Sequence, residues 1–381
     1  MTAPTLPQVS EILEKLIGFD TTSHASNLAL ISWVENYLTK LGVPHERVNA
    51  HDGKASLLAC VGPEVAGGIV LSGHTDVVPT KDQQWTSDPY TLSLRDGRYY
   101  GRGTADMKSF LALALAFIPH WQRQNRQKPI WLAFSHDEEI GCLGAAPMAQ
   151  HIVAKNIAPA LVVVGEPTMM RLVTAHKAIH SFETIVTGRE AHSSLPEQGV
   201  NAVMIMGEII HHLNGIAASL RAEAQADCGF HPPYSTLHVG VVEGGTARNI
   251  IPRHCRIAWE IRPLPGADVG AILAPFTEFC VRLEVRMKQT DPAATIVTRK
   301  LTQVAGLESA AESAPYLVLA KHLAASNHVE CVSYGTEGGI FQSHGLPVII
   351  CGPGSIEQAH QPDEFIETRE LERGMEFMAR L

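Results

Sequence analysis

The feature that most constrains this chain is a set of short apolar runs, each broken by a loop that carries histidine or acid. Residues 69–71 lead into SGHTD, 130–134 into SHDEE, 161–164 into GEPT, and 348–351 into GPGSIEQAHQPDEF. Each run is nearly continuous in Val, Ile, Leu or Trp, as expected for a strand covered on both faces. Helical segments at 109–123 and 144–155 separate them, and this alternation predicts an α/β sheet with functional loops at its strand ends.

The middle of the chain has another order. An alternating strand at 181–187 is followed by a helix at 200–220, strands at 236–242 and 254–261, a helix at 269–286 and a strand at 294–298. This β-α-β-β-α-β order is the ferredoxin-like motif. It predicts an inserted α+β domain at 179–300 and a main domain built from 1–178 and 301–381. A length of 381 residues with 45% hydrophobic content supplies a core for each.

Charge and targeting features narrow the partners. Thirty Lys and Arg against 39 Asp and Glu give a net charge of −9, with no basic patch, which argues against nucleic acid and anionic membranes. The start, MTAPTLPQVSEILEKL, lacks the pattern of a secretory signal, and the longest uninterrupted apolar run, 110–118, is half the length of a membrane-spanning helix. Seven scattered cysteines without a CxxC pair fit reduced thiols better than disulfides or a zinc finger. The expected compartment is the cytosol.

The main-domain loops concentrate His74, Asp76, Asp106, Glu138, Glu139, Glu166 and His360. Steps of 32, 32 and 27 residues separate His74, Asp106, Glu138 and, from Glu139, Glu166, matching one strand-helix unit per step, so these loops are expected to converge at one sheet edge. Imidazole and carboxylate donors without thiolate suit zinc, manganese or cobalt. A carboxylate shared by two cations would make a two-metal hydrolytic site. If the strand continues through them, His74 and Asp76 share a face, which would place Asp76 to orient the imidazole. Glu138 and Glu139 diverge in extended backbone, so one is free to ligate and the other to handle a proton.

SGHTDVVP, YGRGTADMKS, HDEEIG, VGEPT and AHQPDEF together resemble the successive metal-site motifs of the M20 metallopeptidase family, over nearly the whole chain. The resemblance implies a mixed-sheet, zinc-peptidase-like catalytic domain with an inserted lid and dimerisation domain. It implies two divalent cations, zinc or cobalt, one held by His74 and Glu166, the other by Glu139 and His360, with Asp106 as bridge and Glu138 as general base. It further implies that His192 stabilises an oxyanion across a dimer formed by the lids, and that Asn249 and Arg262 meet the substrate. Arg suits a planar carboxylate through two parallel hydrogen bonds. VTAHK, VSYGTEGGIFQ and PGSIEQAHQPDEF point within the family to deacylation of a small N-acylated amino acid, N2-acetyl-L-ornithine before succinyl-diaminopimelate or another acylamino acid. A non-catalytic metal- or amino-acid-binding protein would have no need of Glu138. Two departures stand out: Ser109 in place of glycine after DMK, expected to cap the following helix, and EGGIF at 337–341, expected near the rim of the site.

Overall fold

The computed structural model describes residues 3–381 and divides the chain into two compact units. The first comprises residues up to Ala175 with Leu307–Cys331 and Thr336–Leu381; the second comprises His176–Gly306 with Val332–Gly335.

The first unit is built on a mixed eight-stranded sheet. At its centre Ile69–His74 runs parallel to Ile130–Ser135 on one side and to Leu161–Pro167 on the other. All six residues of Ile130–Ser135 and all seven of Leu161–Pro167 are buried, which explains their continuous apolar runs. Val348–Gly352 extends the parallel set beyond Leu161–Pro167. The antiparallel pair His45–His51 and Lys54–Val61 closes the other edge, with Lys54–Val61 paired to Ile130–Ser135. The helix Lys108–Arg123 places ten side chains, including Phe110, Phe117 and Trp121, in the core that also receives Leu6–Ile17 and Thr368–Arg380. Lys108 is fully buried, and its ammonium donates to the carbonyls of Leu16 and Phe19 at 3.0 and 2.8 Å.

A small three-stranded antiparallel sheet joins Ser93–Arg95, Arg98–Tyr100 and the late strand Phe365–Glu367. Its first two strands fill the interval between His74 and Asp106. That 32-residue step is therefore no strand-helix unit, contrary to the spacing argument, because the chain doubles back in a hairpin before the Asp106 loop. Ser109 also departs from expectation: it lies inside the first helical turn, and its hydroxyl donates to the carbonyl of Thr104 instead of accepting a backbone N–H.

In the second unit four antiparallel strands are ordered Thr236–Gly244, His254–Arg262, Ile179–Thr187, Thr295–Val304. In chain order this is 2-3-1-4, the arrangement of a split β-α-β motif. The helices Ala202–Ala222 and Val269–Lys288 pack on it around Phe182, Val186, Ile257, Trp259 and Phe276. Asn201 caps the first through the Met204 N–H and Asp268 the second through the Ala271 N–H, both at 3.0 Å. Ala202–Ala222 is long and apolar enough to cross a membrane, which a search for unbroken apolar runs overlooks; here Ile205, Met206, Ile209 and Leu213 of this helix lie in the unit's core.

Candidate metal centre

Three parallel strands place the site at their carboxyl ends, the usual location of function in such sheets. His74 is the last residue of its strand, Glu166 the penultimate residue of Leu161–Pro167, and the turn after Ile130–Ser135 carries Glu138 and Glu139. Asp106 enters from the loop before the Lys108–Arg123 helix, its peptide bond to Met107 being cis, and His360 from a turn where its φ is +64°.

The two oxygens of Asp106 face different imidazoles. Oδ1 lies 2.9 Å from His74 Nε2, and Oδ2 lies 3.4 Å from His360 Nε2. His74 Nε2 is also 3.8 Å from Glu166 Oε1, and His360 Nε2 is 3.0 Å from Glu139 Oε2. Ligand atoms of His74, Asp106 and Glu139 lie within 4.8 Å of one another, as do those of His74, Glu138 and Glu166.

These residues fit a cation site on electrostatic grounds. Four carboxyl groups crowd two imidazoles, and Glu166 Oε1 is buried without a hydrogen-bond partner. Burial and the neighbouring Asp106 carboxylate push Glu166 well above the ordinary range and raise Glu139 as well. Burial also holds Glu138 well above it, with Glu139 and Asp106 adding to the shift against the pull of His74. Burial alone would lower His74, but its interactions with Asp106 and Asp76 hold it well above the ordinary value. His360 is pulled up to about 10 by Asp106 and Glu139. Divalent cations relieve this crowding of acids, and oxygen and imidazole donors are those zinc, cobalt and manganese accept.

Asp76 serves more than its neighbouring imidazole. His74 Nδ1 lies 2.9 Å from the Asp76 main-chain carbonyl and 3.6 Å from its carboxylate. The carboxylate itself accepts from Ser23 Oγ at 2.8 Å, from Glu138 N at 3.0 Å and from Glu139 N at 3.2 Å. It thus ties the acid pair's backbone to the His74 strand, a contact that the two-residue spacing does not reveal.

Other contacts had no sequence signal. The Cys142 thiol donates to Glu138 Oε1 at 3.3 Å from a residue with φ +56°. Glu337 is fully buried and accepts from Ser72 and Ser135, two serines on the site's own strands. The EGGIF stretch is therefore not a rim: residues 337–341 are all buried, because Glu337 braces the strand ends and Ile340 and Phe341 sit on a short helix.

The second unit carries the remaining residues read from the sequence. His192 is exposed on a two-residue strand paired to Ile250–Ile251, and its Nδ1 accepts from the Ser194 N–H at 3.2 Å. The Asn249 carbonyl accepts from the Ser193 N–H at 3.1 Å. Arg262 donates through Nε to Glu260 at 2.8 Å.

Residues 70–381 match the model of Peptidase family M20/M25/M40. The acetylornithine deacetylase of Proteus mirabilis is 35% identical over 384 residues, covering 99% of this chain and 96% of that protein. Among solved structures, an aminopeptidase of Bacillus cereus superposes with a TM-score of 0.75 at 20% identity, over 100% of this chain and 98% of that one. An M20 family metallo-carboxypeptidase of Sulfolobus solfataricus does so with a TM-score of 0.76 at 16% identity, over 98% of both chains.

Proposed function

The chain belongs to Peptidase family M20/M25/M40, and from that premise we propose that it is a two-metal amidohydrolase that cleaves N2-acetyl-L-ornithine to L-ornithine and acetate, a step of arginine biosynthesis in the cytosol. The observation that carries the reading is the two-sided Asp106, with one oxygen toward His74 and the other toward His360. The family relatives and the 35% identity to an acetylornithine deacetylase support the substrate class.

His74 and Glu166 would hold one cation, Glu139 and His360 the other, and Asp106 both. When bound, zinc or cobalt would polarise the scissile carbonyl and acidify the attacking water. Glu138 takes the proton from that water and passes it to the departing amine. Burial raises its affinity for a proton, which suits a group that must take one up and then return it. Asp76 fixes the main chain of Glu138 and Glu139, so base and ligand keep their separate directions.

His192 is assigned to the oxyanion. Its Nδ1 faces the Ser194 N–H at 3.2 Å and hydroxyl at 2.7 Å, which leaves Nε2 as the ring nitrogen assigned to meet the oxyanion. We assign its delivery to a homodimer formed through the second unit, with closure as part of the cycle. Asn249 and Arg262 are assigned to the substrate; with Nε engaged by Glu260, Arg262 would meet a carboxylate through its terminal nitrogens.

The test is ornithine release from N2-acetyl-L-ornithine by protein stripped of metal and reloaded with zinc or cobalt, run beside succinyl-diaminopimelate and a panel of acetylated amino acids. Preferred, metal-dependent release of ornithine is the expected result. Metal-dependent cleavage of a different acylamino acid would move the substrate and leave the site standing, whereas metal binding without cleavage of any of them would favour a binding protein.

A further inference from the structure

Four residues past His360, Glu364 is buried at 1% exposure and is not among the residues assigned above. Its Oε1 accepts from the backbone N–H groups of Ala105 at 2.8 Å and Asp106 at 3.0 Å. Its Oε2 accepts from the Gly103 N–H at 2.9 Å and from Arg102 Nη1 at 2.6 Å. One side chain therefore takes four hydrogen bonds from the loop that presents Asp106. Arg102, equally buried, stacks its guanidinium over the Trp85 ring at 5.1 Å and donates through Nη2 to Gln83 Oε1 at 2.6 Å. Gln83 in turn donates through Nε2 to the main-chain carbonyl of His360 at 2.8 Å.

The chain of contacts is closed: Asp106 backbone, Glu364, Arg102, Gln83, His360 backbone, and back through four residues to Glu364. We propose that Glu364, Arg102 and Gln83 form a positioning clasp that sets the Asp106 carboxylate and the His360 imidazole relative to each other, and so governs occupancy of the cation position they share. This rests on the metal-centre reading above. None of the three is assigned a contact with cation or substrate; they act through the two backbones they hold. The two arms differ in reach. The Glu364 arm grips the Asp106 loop, and Asp106 serves both cation positions, while the Gln83 arm reaches only the His360 turn.

The arms separate experimentally by titrating metal-free protein with zinc or cobalt against a chromogenic chelator, with turnover as a second readout. Gln83→Leu should weaken one of the two binding steps about 10- to 100-fold, the range for loss of a hydrogen bond that orients a ligand, and leave the other within twofold. Glu364→Gln places an amide NH₂ against backbone or guanidinium donors and should weaken both steps. Excess metal should restore kcat to Gln83→Leu with KM unchanged, which a general loss of packing would not allow. If Glu364→Gln does not fold, as judged by near-UV circular dichroism of the metal-free protein, Gln83→Leu alone decides. Unaltered affinities in a folded Gln83→Leu protein, or equal weakening of both steps by it, would overturn the clasp. Wild-type protein that binds no metal would instead refute the metal-centre reading.

Discussion

The two halves of the candidate centre are built differently. His74 and Glu166 stand on adjacent parallel strands, and the His74 side chain is 1% exposed. Glu139 and His360 stand on turns, and the His360 side chain is 51% exposed. Strand-borne ligands inherit the rigidity of a sheet whose central strands are buried at all but one residue, Ile69. Turn-borne ligands depend on hydrogen bonds made for the purpose, here Asp76 to the Glu139 N–H and Gln83 to the His360 carbonyl. On the proposed reading, the Asp106 carboxylate would join an inner position held by the fold to an outer position held by side-chain contacts. The inner position should bind its cation more tightly.

Substitutions test that contrast, beginning with the largest effect. Glu138→Gln should lower kcat by roughly 10²- to 10⁴-fold, the range for a lost general acid-base group, while both metal-binding steps survive. Weakened metal binding in this variant would make Glu138 a ligand and blur the division between the halves. His74→Ala should cost the inner step and also stability, because it leaves Asp106 and the unpartnered Glu166 oxygen buried without their imidazole. His360→Ala should remove the outer step alone and cost the metal-free protein less stability than His74→Ala does, because the His360 side chain is half exposed. Equal losses of stability in the two alanine variants would break the comparison.

A pH series sharpens it. In metal-free protein His360 is held up to about 10, above its ordinary value of 6.5, so below that pH a cation must displace its proton. Affinity at the outer position should therefore rise with pH, by at most about tenfold per unit per proton displaced. The sign for folding is opposite: a raised imidazole contributes stability that is fully present below about 6.5 and is lost as pH rises through about 10. Chelator-competition titrations from pH 6 upward read the first, and thermal melts of the stripped protein the second. The smallest effect belongs to Cys142. Removing its hydrogen bond to Glu138 with Cys142→Ala should cost about 1 kcal/mol, roughly fivefold in kcat, and Cys142→Ser, which keeps a donor, should restore most of it.

Much of this architecture was legible because it is local. The run of Val, Ile and Leu before His74, and those before Glu138 and Glu166, mark buried parallel strands, and a polar residue at the end of such a strand has few places to point. The β-α-β-β-α-β order of the middle segment was equally readable from its periods. What escaped reading is long-range. Glu364 meets Gly103 across 261 residues, and Glu337 meets Ser72 across 265, and no local period encodes such pairs. EGGIF, a departure from the family pattern, was expected near the rim of the site, yet Glu337 has serine partners that make its burial tolerable. Ser109 read as a cap because it precedes an apolar helix, but the helix begins one residue earlier, at Lys108. His74 to Asp106 matched a strand-helix interval by length alone, with a hairpin in place of a helix.

Diffraction from crystals of zinc-loaded protein, collected at the zinc edge, tests the central claim most directly. Two anomalous peaks about 3.5–4 Å apart are expected, one beside His74 and Glu166, the other beside Glu139 and His360, with Asp106 between them and the outer peak the first to fade on chelator soaking. A single peak, or a pair that Asp106 does not bridge, would contradict it.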